Sequence, residues 1–120
     1  MNKDITQRGI AAAEAYMERL GAVILGDTVP PEGLATLASD GDTLIGVLVE
    51  VRENSGPEDA IPDKTLDDLL TRLEQHALAD GHAHLRIDRI GIRVLSPDRA
   101  LLRHHRGERN SWSGRDGPPT

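Results

Sequence analysis

The chain has 120 residues with no Cys, no Phe, one Trp and one Tyr, and its 14 Lys and Arg face 20 Asp and Glu for a formal charge of −6. The length suits one domain, because single hydrophobic cores commonly occupy about 100–150 residues, and the absence of cysteine excludes a disulfide framework or a thiolate zinc site. The longest apolar stretch, Leu44 to Val49, is far short of the ~20 residues of a membrane span, and Glu14 and Glu18 interrupt the only alanine-rich segment, so a soluble cytoplasmic protein with no membrane partner is expected.

From Ile5 to Leu20, apolar residues at Ile10, Ala13, Met17 and Leu20 recur at helical spacing, and Gly21 suits the C-terminal cap. Val23 to Leu25 predicts a short strand, with Pro30-Pro31 blocking ladder pairing beyond it. Leu34 to Ser39 predicts a second strand, and Asp40-Gly41 reads as the central pair of a hairpin turn. Thr43 to Arg52 is the strongest strand, apolar almost throughout and so expected at the centre of a sheet. The Pro-, Gly- and acid-rich segment from Glu53 to Asp63 predicts a surface loop. Thr65 and Asp68 resemble a capping box, opening a helix whose face of Leu66, Leu69, Leu70, Leu73 and Ala77 runs to about Gly81.

Farther on, Leu85 and Ile87 alternate in one phase and Ile90, Ile92 and Val94 in the other, which predicts a bulge near Asp88-Arg89. Ser96-Pro97-Asp98 predicts a turn, and Ala100 to Arg103 a short final strand. Beyond Gly107 only Trp112 is apolar in any useful degree, so residues 107–120 are expected to form a disordered tail behind a single domain over 1–106. The order helix, three strands, helix, two strands implies an α/β fold with one mixed sheet flanked by helices.

Several strings then fall in the order seen in a known group. Gly9, Tyr16, Met17, Gly21, Ile24 and Leu25 mark the first helix and strand. Glu32 to Leu44 runs into Val49-Glu50-Val51-Arg52. Ala60, Ile61 and Lys64 precede the second helix, Arg86-Ile87-Asp88-Arg89-Ile90 lies in the following strand, and Leu102 to Gly107 closes the set. Together, from about Gly9 to Gly107, this resembles the YraN-type family of small uncharacterised bacterial proteins. The resemblance implies a restriction-endonuclease-like mixed β-sheet flanked by α-helices, related in fold to Holliday-junction resolvases.

Nucleases of that fold gather carboxylates around Mg²⁺, which polarises the scissile phosphate and generates hydroxide, beside a lysine. In the family register Glu50 and Arg52 stand at the acid–lysine pair. Ile10, Gly33 and Ala35 stand where other acids are expected. Arginine clamps a phosphate but does not readily accept a proton, and one carboxylate holds Mg²⁺ weakly. The resemblance therefore implies a vestigial catalytic site at Glu50 and Arg52, on a divergent, catalytically degenerate member that keeps nucleic-acid binding. The alternatives are an active Mg²⁺-dependent DNA endonuclease, with Glu50 and Asp42 or Glu32 on the metal, and an acidic protein-interaction module.

Charge distribution bears on the partner. Residues 1–85 carry 6 basic and 16 acidic side chains, whereas residues 86–120 carry 8 arginines and 4 acids. Only the last quarter offers a basic face for DNA or another nucleic acid, through Arg86, Arg103 and Arg106 in particular. The same arginines equally suit a solvated sheet edge that pairs with the acidic half. The second helix, with Asp63, Asp67, Asp68 and Glu74, favours a protein partner instead. His82-x-His84 and His104-His105 lack the further ligands that a zinc site needs, so they read as surface and structural histidines.

Overall fold

A computed structural model describes residues 3–53 and 56–112. Helix α1 spans Lys3–Arg19. Strands β1 (Val23–Ile24), β2 (Thr36–Asp40) and β3 (Thr43–Arg52) follow, then helix α2 (Asp63–Glu74), a 3-10 turn at Ala77–Gly81, β4 (His84–Ser96) and β5 (Arg99–Trp112). The five strands form one sheet in the order β1-β2-β3-β4-β5. β1, β2 and β3 pair antiparallel, β3 and β4 run parallel, and β5 returns antiparallel along β4. The parallel step requires a crossover, and α2 supplies it. Among the described residues no helix is long and apolar enough to cross a membrane.

Two aliphatic clusters lie on opposite faces of the sheet. α2 contributes Leu66, Leu69 and Leu73 to one, against Leu37, Leu44, Leu85 and Ile87. α1 contributes Ala13 and Met17 to the other, against Ala38, Ile45, Val47, Ile90 and Ile92. At Gly9 a Cβ would collide with Val51 Cγ2, so the absent side chain lets α1 lie close on β3.

The two phases of β4 follow from this arrangement. Leu85 and Ile87 point to the α2 side, while Ile90 and Ile92 point to the α1 side, and the register with β3 runs unbroken from His84 to Arg93. Each helix buries a different half of one regular strand. The irregularity near Asp88 lies in the pairing with β5, where residues 106–108 stand opposite Asp88 alone and Gly107 adopts φ 71°.

Four further expectations are corrected. Asp40 pairs with Thr43, so the hairpin's central residues are Gly41 and Asp42, with the positive φ (57°) on Gly41. Helix α2 begins at Asp63 behind Pro62 without a side-chain cap, which makes Thr65 a first-turn residue. It ends at Glu74 because the His76 ring accepts the Leu78 amide and starts a separate 3-10 turn. Strand β5 is 14 residues long and runs through Gly107 to Trp112, where a disordered tail is predicted. Its polar side chains hide it from a hydrophobicity reading, but β4 supplies its backbone partners and acids supply its side-chain partners. The rest of the expected tail, residues 113–120, lies outside the described residues.

Candidate functional site

Where a helix does not cover the sheet, the inward positions of β4 carry polar groups. On the α1 side these are Arg86 and Asp88. Asp88 is fully buried, yet its carboxylate is satisfied: Arg86 donates through Nε and Nη2 (2.8 and 3.1 Å), the Gly107 amide donates at 2.9 Å, and His104 Nε2 lies 2.8 Å away. A carboxylate only accepts, so Nε2 carries the His104 proton. Nδ1 faces the Tyr16 hydroxyl at 3.1 Å, and in the Nε2–H tautomer it accepts the Tyr16 O–H. The Tyr16 and His104 rings meet edge to face. This chain ties α1, β4 and β5 together, and it commits the Arg86 fork to Asp88.

On the α2 side the exposed half of the sheet is richer in cations. Glu50 and Arg52 share this face, as their spacing predicts. Glu50 does not pair with Arg52 or Lys64; its partner is Arg89, whose Nη1 lies 3.4 Å from Glu50 Oε1. Arg89 is buried (8% side-chain exposure), donates to the Asp59 carbonyl at 2.8 Å and faces Glu108 at 3.9 Å. Arg52 instead donates to the carbonyls of Gly56 and Pro57 at 2.7 and 2.6 Å, holding the start of the segment that leads into α2. Glu58 follows in that segment. His105 Nε2 donates to its carboxylate at 3.0 Å, and Arg103 Nη1 lies at 3.5 Å.

A cleft of about 590 Å³ opens beside Glu58, lined by Arg52, Arg93 and Arg103 with Gly91 and Leu101. Parallel register sets Arg52 against Arg93 and Glu50 against Gly91, and Gly91 in turn pairs with Arg103. Among the described residues, neither Arg89 Nε nor Arg93 Nε meets an acceptor, although both atoms are buried. Burial pushes the Glu58 carboxyl up, but the His105 hydrogen bond and the charges of His105, Arg89 and Arg103 prevail and hold it below its ordinary value. Three guanidinium groups and one carboxylate thus share the cleft.

Mg²⁺ imposes a stricter geometry. That ion demands near-octahedral oxygen ligands at about 2.0–2.1 Å, and among the described residues no three Asp, Glu or His side chains converge in a way that could hold a metal. Asp42 sits in the turn before β3 and Glu50 near the strand's other end, eight residues or roughly 26 Å apart in extended chain, so one ion cannot reach both. Beside Glu50 stands the Arg89 guanidinium.

Of the arginines expected to bind nucleic acid, Arg103 stands at the cleft with 74% of its side chain exposed. Arg106 is exposed at the β5 irregularity, and Arg86 is consumed internally. Arg109 is likewise engaged, by Asp63 at 2.6 Å and Asp67 at 2.9 Å, which sets one positive charge against two of the acids of α2. Sequence reasoning singled out neither Arg89 as Glu50's partner nor Glu58. The partners are 39 and 47 residues distant, and no local pattern joins them. No protein-family model matches this chain, and no curated protein matches it.

Proposed function

We propose that this protein binds the phosphodiester backbone of duplex DNA without hydrolysing it, on a restriction-endonuclease-like frame of the YraN type. The order helix, antiparallel three-strand unit, crossover helix and parallel fourth strand supports that frame. One observation carries the binding reading: Arg52, Arg93 and Arg103 line a single cleft, and among the described residues the buried Nε of Arg93 meets no acceptor. Guanidinium forks match phosphate oxygens in charge and geometry.

Two features argue for duplex backbone over single strands or sequence readout. The chain has one Tyr, one Trp and no Phe, and Tyr16 is committed to His104, a poor supply of rings for stacking unpaired bases. The cleft also sets three guanidinium groups against one carboxylate, Glu58, a balance that suits backbone phosphates better than base edges. A net charge of −6 opposes non-specific attraction, but a concave cationic site focuses its own field at close range. The pairing of Asp63 and Asp67 with Arg109 weakens the alternative of an acidic protein-interaction surface on α2.

Fluorescence anisotropy of a labelled 20-base-pair duplex tests this reading. Affinity should fall steeply as salt rises, and Arg103→Ala should weaken binding while lowering the log–log salt slope by about 1. Absence of binding at low salt, or identical affinity and slope in the variant, would overturn it.

A further inference from the structure

The carboxylate of Glu58 occupies an unusual place. It comes from the segment before α2, yet it lies on the backbone of β4: a Cβ at Gly91 would collide with Glu58 Oε2. Only 12% of the Glu58 side chain is exposed. His105 and Arg103 reach it directly, and Arg52 holds the two preceding residues through their carbonyls. A carboxylate and a phosphodiester share what such a pocket recognises, namely a single negative charge spread over oxygens that accept guanidinium and imidazole N–H groups. Glu58 therefore stands where an incoming backbone phosphate would meet Arg103 and His105, over the one residue of β4 whose missing side chain permits so close an approach.

We infer that Glu58 is a built-in competitor for the cleft, which a DNA phosphate must displace from Arg103 and His105 before it binds. The inference rests on the phosphodiester reading above and adds its regulation. Affinity of the intact chain is then the intrinsic affinity multiplied by the fraction of molecules in which Glu58 has left the cations. A site filled by Glu58 nine times in ten binds about tenfold more weakly than an open one.

Glu58→Gln keeps the side chain's shape and removes its charge. Glu18→Gln, on the exposed side of α1, removes the same charge elsewhere. Duplex affinity at low salt should rise about tenfold in E58Q and stay within about twofold of the parent in E18Q. Equal gains in the two variants, or none in E58Q while the parent still binds, would overturn the competitor and leave DNA binding standing. No binding by either the parent or E58Q would remove the phosphodiester reading and the competitor with it. A second measurement avoids mutation: in the ¹³C spectrum of the parent protein, the Glu58 carboxyl resonance should move on adding duplex, toward that of a solvated glutamate. A resonance unmoved at saturating duplex would overturn the inference.

Discussion

Asp88 shows how a charge is retained inside a small aliphatic fold. Burying a carboxylate costs several kcal/mol unless its lone pairs are met, and here Arg86, His104 and the Gly107 amide meet them. Removing Asp88 strands the Arg86 guanidinium in the same pocket, so Asp88→Ala should destabilise the protein by about 3–5 kcal/mol, measured by urea denaturation. A loss below about 1 kcal/mol, typical of an exposed pair, would mean that water reaches the network. Arg89 is the counterpart on the other face, a buried cation between Glu50 and Glu108 with its Nε–H unmet among the described residues. Nothing in the local string Ile87-Asp88-Arg89-Ile90 distinguishes the two faces by itself. The distinction comes from which helix covers which half of β4, and that is a tertiary property.

The elements were legible to the extent that apolar pattern and chain direction control them. β3 runs from Thr43 to Arg52 as predicted, because an unbroken aliphatic series after a turn suits a strand covered on both sides. The change of phase in β4 was visible too, but its cause was not: the helices bury opposite faces of a regular strand, and the bulge belongs to β5. β5 was mostly missed, since Arg103 to Ser111 carry no apolar alternation and ion pairs to Glu58, Asp63 and Asp67 take its place. Helix α1 depends on a close approach that only Gly9 permits over Val51. Gly9→Leu should therefore cost about 1–3 kcal/mol by overpacking, despite leucine's better helix propensity. Thermal melting tests this, and an unchanged or raised Tm would show that α1 rides farther from the sheet.

Taken as a whole, the molecule carries a formal charge of −6 yet gathers cations at one end of its sheet, where the parallel pair β3–β4 and the returning β5 bring Arg52, Arg93 and Arg103 to one cleft. Glu50 and Arg52, two apart in sequence, share a face of β3 at this end of the sheet, by the rule that alternate residues share a face. That spacing could not show that Arg89 stands beside Glu50, or that Asp42 lies a strand's length away. On the proposed reading these arginines hold a phosphodiester, and among the described residues no three acids or histidines converge as a metal site would require. The direct test is to incubate supercoiled plasmid with the protein and Mg²⁺ or Mn²⁺ at low salt, beside Glu50→Ala, and to follow nicking on a gel. The plasmid should be bound and remain uncut, with both proteins at the background level. Metal-dependent nicking by the parent that disappears in Glu50→Ala would contradict the account.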